Sequence, residues 1–234
     1  MSNQYFDFKQ FRIEQDKCSM KVGTDGVLLG SWFELKPGMS VLDIGTGTGL
    51  VALMAAQRGA GRVTAVEIDP DAAVQAIQNV KKSPWAGLIN VVNADIADYT
   101  PQYKFDRIVC NPPYFRDSLR CPDAGRNTAR HNDSLNFETL ARCSAGMLLP
   151  DGLLCLVLPF DSVDVFVKCA AGQGLDLCRR TDVVTAPGKS PKRSLVAFAK
   201  RCTPFEGNVL SICDSNGNET PEYVEFVRNF YLKY

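Results

Sequence analysis

The sequence predicts an α/β domain with an open sheet, and three observations carry that expectation. Short apolar runs at Val41–Ile44, Arg62–Ile68, Leu88–Asn93, Phe105–Cys110 and Leu153–Leu158 alternate with stretches of helical composition. The run from Val41 to Leu50 reads as a strand covered on both faces, a glycine turn and the opening of a helix that continues through Val51–Gln57. Several of the apolar runs end in acidic or amide side chains, and open α/β sheets address their ligands from the carboxyl ends of their strands.

Size and charge narrow the possibilities. With 234 residues and 45% hydrophobic content, the chain suits one large domain spanning residues 1–234, with residues 1–36 as an extension of short strands and a helix. Lys+Arg and Asp+Glu both number 26, so no global field draws a polyanion and any nucleic-acid surface must be a local basic patch. The nine cysteines are odd in number, none forms a C-x-x-C pair, and His131 is the single histidine. Reduced core thiols, among them Cys110, Cys155, Cys169 and Cys178, are therefore expected in place of a disulfide framework, and no metal site is expected. Met1–Gln10 lacks a basic segment followed by an apolar run, and no window approaches the roughly 20 apolar residues that span a bilayer. The expectation is a cytoplasmic protein without a membrane partner; oligomeric state is left open.

In chain order, Phe6, Phe8, Phe11 and Ile13 alternate with polar residues and predict one or two short strands, as a hairpin lid on the main sheet. Lys21–Gly26 is turn chemistry, and Thr24 or Asp25 is expected to cap a helix through Val27, Leu28, Leu29, Trp32 and Phe33. The glycine turn follows Pro37-Gly38. A dinucleotide fingerprint would need G-x-G-x-x-G over a helix N-terminus, but here Leu50 stands where the third glycine belongs. Asp43, just ahead of the glycines, would repel a pyrophosphate but can hold an ammonium group. Asp43-x-Gly45-x-Gly47-x-Gly49 resembles motif I of the class I S-adenosylmethionine (SAM) methyltransferases. That resemblance implies SAM as cofactor, cradled by Asp43, Gly45, Thr46, Gly47, Gly49 and Leu50; Thr24 and Asp25 either only start their helix or also face the methionine end of that cofactor.

Arg62–Asp69 is a second strand ending in acid. Glu67 stands where a carboxylate can accept both hydroxyl hydrogens of a ribose, with Ile68 beside it. Asp69 or Asp71, next to Pro70, can start the helix Ala72–Lys81. Leu88–Asn93 makes a third strand, after which Asp95 is either a loop aspartate or the acceptor for the adenine amino group of SAM, with Ile96 packing on the ring.

Phe105–Cys110, the fourth strand, stops at Asn111-Pro112-Pro113-Tyr114. Two prolines end a strand by themselves, but they do not account for Asn111 and Tyr114 at that edge. Methylating an exocyclic amine or amide meets one obstacle: the nitrogen lone pair is delocalised and a poor nucleophile. The Asn111 side-chain oxygen and the Pro112 carbonyl can accept the two N–H hydrogens and align the nitrogen, while Tyr114 stacks on a flat substrate. The tetrad resembles motif IV of methyltransferases acting on planar nitrogens of adenine, guanine or glutamine. Release-factor enzymes carry a helical substrate domain ahead of motif I, and the short stretch before Val41 argues against glutamine.

The polar stretch Phe115–His131 carries Arg116, Arg120, Arg126 and Arg130, which suit either a phosphate-binding lid or a solvated loop. A helix through Leu140 and Met147, the strand Leu153–Leu158 and a helix over Phe160–Ala171 follow. Val183-Val184 and Ser194–Ala199 read as an antiparallel closing pair around a loop, whose Lys189, Lys192 and Arg193 either bind RNA backbone or are exposed charges. Val209–Cys213, an Asn216-Gly217 turn and a helix from Pro221 to Tyr231 finish the chain.

End to end, the chain resembles the bacterial valine-tRNA adenine-N(6)-methyltransferases, which modify adenosine 37 beside the anticodon. Phe8-Lys9-Gln10-Phe11, Gln15-Asp16, Met20–Gly26, both core motifs, Lys192-Arg193 and the ending from Tyr223 through Phe230–Lys233 carry the likeness. It implies a Rossmann-like class I SAM-methyltransferase fold with a seven-stranded, mostly parallel sheet whose last strand is antiparallel, and a tRNA substrate. Two alternatives share the core motifs: a ribosomal-RNA guanine exocyclic-amine methyltransferase, and a non-catalytic SAM- and RNA-binding module.

Overall fold

The computed structural model describes residues 3–18, 21–112, 135–201 and 204–234. Pro113, Tyr114, Arg116, Arg120, Arg126, Arg130 and His131, singled out from the sequence, lie outside the described residues.

Two short strands, β1 (Tyr5–Asp7) and β2 (Arg12–Glu14), form the expected antiparallel hairpin. Phe8 bridges to Tyr231, and Lys9 N donates to the Phe230 carbonyl at 2.8 Å, so the hairpin is fastened to the end of the chain. Phe8 stacks on Phe11 and Tyr231 with ring centroids 4.7 and 5.9 Å apart, an apolar seam that holds the two termini together.

After helix α1 (Thr24–Trp32) the chain alternates strand and helix: β3 (Ser40–Ile44), α2 (Leu50–Gln57), β4 (Arg62–Glu67), α3 (Pro70–Lys81), β5 (Ile89–Asn93) and β6 (Phe105–Cys110). It continues through α4 (Phe137–Met147), β7 (Leu148–Pro159), α5 (Val163–Ala171), β8 (Asp176–Val184), β9 (Arg193–Ala199), β10 (Glu206–Ser211) and α6 (Pro221–Val227). The sheet order is β10-β8-β9-β7-β6-β3-β4-β5, parallel throughout except that β9 runs antiparallel to both β7 and β8. Strands β3 to β9 make the expected seven-stranded sheet with its antiparallel closing strand. An eighth, β10, adds to the edge alongside β8.

Alternate residues of the central strands enter cores on opposite faces, which is why these strands are apolar throughout. Val41 and Val157 pack with Leu28, Leu53 and Val227 on the face covered by α1, α2 and α6; Leu42, Leu156 and Leu158 pack with Leu140 and Phe166 on the face covered by α4 and α5. Cys110 and Cys155 are buried as expected, whereas Cys169 and Cys178 are half-buried; all four are reduced thiols.

Several boundaries differ from the sequence expectation, and those of α1 and α6 have visible tertiary causes. The N-cap of α1 is Gly23, without a side-chain cap bond, and Thr24 and Asp25 lie inside the first turn. Asp25 does not cap because its carboxylate is drawn to the guanidinium of Arg193, 2.9 Å away. Helix α6 ends at Val227, and the chain turns so that Phe230 N and Tyr231 N both bond the Val227 carbonyl, bringing Tyr231 to the hairpin. Asp69, by contrast, caps α3 as expected, its side chain accepting from the N–H groups of Asp71 and Ala72.

Candidate functional site

The glycine turn between β3 and α2 is held open from the neighbouring strand. Gly45 N and Thr46 N both donate to the Val66 carbonyl, at 2.8 and 3.1 Å, and Gly47 N donates to Glu67 Oε2 at 2.8 Å. The end of β4 therefore shapes the turn as well as lying beside it. Gly49, the N-cap of α2, has φ of 84°, and a Cβ there would lie 3.6 Å from the backbone of Ala76 on α3. The left-handed φ is what favours glycine here, the 3.6 Å approach being ordinary van der Waals contact. Gly49→Ala is expected to lower unfolding stability by ~1–2 kcal/mol, the cost of a left-handed alanine; an unchanged urea midpoint would contradict it.

Asp43 is almost fully buried behind the turn. Its Oδ2 accepts from Thr46 Oγ1 at 2.6 Å and from Ala52 N at 3.1 Å. Burial outweighs those bonds and pushes its carboxyl up to about 7. Asp43 also lines a cavity of about 660 Å³, together with Thr24, Asp25, Thr46, Gly47, Leu50 and Asn111. The first turn of α1 opens into the same space, and N–H groups there have no partner within the helix. Donors at a helix N-terminus facing a buried acid suit a zwitterionic amino-acid group: its carboxylate at α1, its ammonium at Asp43.

A second cavity, of about 190 Å³, adjoins the first at Gly45 and is lined by Ile68, Asp95 and Ile96 among others. Ile68 is 60% exposed although it follows a buried strand, and an apolar side chain held open at a cavity suits a flat ring. Asp95 Oδ1 accepts from Ala97 N at 2.8 Å, which leaves Oδ2 as an acceptor. Glu67 lines neither cavity: its two oxygens accept from Gly47 N and Asp69 N. A molecule with an amino-acid end and a purine end fits this pair of spaces, and SAM is such a molecule.

Asn111 follows the last residue of β6 and lines the larger cavity with Asp43. Gly26 makes this possible, since a Cβ there would sit 3.1 Å from Leu50 Cδ2 and 3.8 Å from Asn111 Nδ2. Glycine at that point lets α1 lie against Leu50 without displacing its side chain, with Asn111 at ordinary contact distance.

The chain resembles known proteins along its whole length. A family model described as Methyltransferase small domain matches residues 18–134. Proteins named tRNA1(Val) (adenine(37)-N6)-methyltransferase match end to end: that of Bacteroides fragilis is 48% identical, covering 100% of both chains. The one from Phocaeicola vulgatus is 47% identical over 99% of each, and the one from Yersinia pseudotuberculosis 40% identical over 98% of this chain and 92% of its own. The chain belongs to this methyltransferase family. Among solved structures, a predicted O-methyltransferase from Agrobacterium tumefaciens superposes with a TM-score of 0.71 at 21% identity, covering 88% of this chain and 96% of its own. TrmN from Thermus thermophilus gives 0.54 at 20% identity, over 75% of this chain and 48% of its own. At those identities the likeness is one of fold.

Within this family member, the sequence-chosen cofactor residues converge except at Gly49 and Glu67, which shape the turn from behind. The smaller cavity also has walls that local sequence did not point to: Leu135, Asn136 and Thr139, at the start of α4. Asn136 caps α4, its side chain accepting from Thr139 N at 2.7 Å, and its place at the cavity depends on where the chain returns to the sheet. Of the basic residues before β9, Lys189 and Lys192 are exposed. Arg193 instead pairs with Asp25, its Nη1 also donating to the Lys192 carbonyl at 2.8 Å, so its charge is directed at the cavity wall.

Proposed function

We propose that this chain transfers a methyl group from SAM to the N(6) amine of adenosine 37 in valine tRNA. One observation carries the chemistry: Asn111, at the carboxyl end of β6, opens onto the same cavity as the buried Asp43. A target amine held at Asn111 then lies beside the space that fits the amino-acid end of the donor. Full-length likeness to the named tRNA enzymes supports the choice of RNA and base.

When bound, SAM supplies an electrophilic methyl group and departs as a neutral thioether, so no strong base is required before transfer. The protein's task is to align the nitrogen. Asn111 Oδ1 and the Pro112 carbonyl accept the two amine hydrogens in this assignment, which draws the lone pair out of conjugation and towards the methyl carbon. A bound donor would supply the methyl carbon to that nitrogen with its carbon–sulfur bond as the one broken, and the amine would give up one proton. Pro113 and Tyr114 complete the motif in this assignment, with Tyr114 stacking on the flipped base. Arg116, Arg120, Arg126 and Arg130, together with Lys189 and Lys192, would carry the RNA backbone.

No helix among the described residues is long and apolar enough to cross a membrane. We place the protein in the cytoplasm with its tRNA substrate and take residues 1–234 as one methyltransferase domain.

The assignment is tested by incubating the protein with labelled SAM and, separately, tRNA or ribosomal RNA from a strain lacking the corresponding gene, then digesting to nucleosides. N(6)-methyladenosine in the tRNA sample is expected. Methylguanosine in ribosomal RNA would transfer the assignment to the guanine enzymes, and no label in either would leave a binding module. Replacing Lys189 and Lys192 together by alanine should weaken tRNA binding and flatten the slope of log affinity against log salt by up to ~2, about one for each phosphate no longer neutralised. An unchanged slope would remove both residues from the RNA surface.

A further inference from the structure

Two buried amides on α3 have no part in the chemistry above, yet they tie three parts of the donor site together. Asn79, 1% exposed, uses its whole side chain: Oδ1 accepts from Glu14 N, and Nδ2 donates to the Glu14 carbonyl and to the Thr48 carbonyl, each at 2.9 Å. Glu14 ends the hairpin, and Thr48 belongs to the glycine turn. Gln75, one helical turn earlier and fully buried, accepts from Lys17 N at 3.0 Å through Oε1. From the segment so anchored, Gln15 reaches onward. Its Oε1 accepts from Val22 N at 2.8 Å and its Nε2 donates to the Asn3 carbonyl at 3.0 Å. Val22 and its neighbours Lys21 and Gly23 are wall residues of the larger cavity.

Hydrogen bonds from α3 therefore fix Glu14 and Lys17 on either side of Gln15 in the chain, and the Gln15 side chain carries that anchorage on to Val22 in the wall of the cavity that Asp43 also lines. The hairpin lies ahead of the matched family segment, which begins at residue 18, but its last residue is gripped on both sides by an α3 side chain. We infer that Asn79 and Gln75 are positioning residues, which hold the Lys21–Gly23 wall and the Thr48 turn in register and so set the affinity for the methyl donor. This rests on SAM being the donor, as proposed above. Buried polar groups matched in this way fix one geometry, because any shift leaves a carbonyl or N–H without a partner.

The test is Asn79→Asp in the full chain. The exchange keeps shape and the acceptor for Glu14 N, but turns a carboxylate oxygen towards the Glu14 and Thr48 carbonyls. Titration with S-adenosylhomocysteine, a non-reacting probe, should show affinity reduced about tenfold or more, the scale of a lost buried hydrogen bond. Donor KM should rise in parallel while kcat at saturating donor and tRNA affinity stay within about twofold of wild type. A purely structural role would lower the active fraction, hence kcat, and leave KM alone; that pattern, or an unchanged affinity, would overturn the inference. Should Asn79→Asp not fold, Gln75→Leu is read in the same way with a smaller expected loss, about threefold. Its Nε2 is already buried without a hydrogen-bond partner among the described residues, so leucine removes an unmatched donor together with the acceptor for Lys17 N. Absence of probe binding by the wild-type protein would instead sink the donor assignment, and the inference with it.

Discussion

Replacing Asn111 by alanine is expected to lower methyl transfer at least about a thousandfold while leaving SAM affinity within a few-fold of wild type. Asn111 lines the larger cavity and not the smaller, purine-sized one. Its loss removes an acceptor needed only as the amine's lone pair is turned towards the methyl carbon. Orientation and transition-state hydrogen bonds of this kind are worth several powers of ten in rate. Single-turnover rates and donor binding, measured on the same preparation, separate the two effects. An Asn111→Ala protein that binds SAM poorly but turns over normally once saturated would reverse the roles assigned to Asn111 and Asp43.

Asp43→Asn is expected to do the opposite and to leave a particular signature: weaker donor binding in a more stable protein. The folded chain holds the Asp43 proton up to about pH 7 because the carboxyl is buried. An unfolded aspartate releases it near pH 4. Below about pH 4 both states are protonated; as pH rises towards 7 the unfolded state ionises first, and stability is lost across that window. Asparagine removes this loss, so thermal stability at neutral pH should rise. An ammonium group, however, needs the ionised carboxylate. SAM affinity in the wild type should therefore increase with pH up to about 7, whereas Asp43→Asn should bind at least about thirtyfold more weakly, ~2 kcal/mol, with that pH dependence gone. Calorimetric titrations from about pH 5.5 to 8 with both proteins would check this, and equal affinities at neutral pH would remove Asp43 from donor binding.

Much of the site could be read from the sequence because its chemistry sits at strand ends. β3, β4 and β6 are buried on both faces and advertise themselves as apolar runs, and in a parallel sheet their last residues necessarily share one edge. That is how Asp43, Gly45 and Asn111, scattered along the chain, could be grouped without coordinates. What escaped is long-range. Asp25 and Arg193 are 168 positions apart and form an ion pair, and neither local pattern hints at the other. The eighth strand, β10, was marked only at its Val209–Cys213 end and not as a sheet edge: of its six residues only Leu210 is buried, so periodicity had little to detect towards Glu206. Asn79 and Gln75 look like ordinary polar positions of an amphipathic helix until Glu14 and Lys17 are seen against them. Leu135, Asn136 and Thr139 reach the smaller cavity only through the path of the chain.

The central claim, methylation of one adenine in one tRNA, is met most directly by a pair of transcripts of valine tRNA, one unmodified and one with guanosine in place of adenosine 37. Each is incubated with the protein and SAM, cut with a base-specific ribonuclease and weighed by mass spectrometry. A single added methyl group on the fragment holding adenosine 37, absent from the guanosine transcript, is the expected result. Methylation of both transcripts, or of neither, would contradict it.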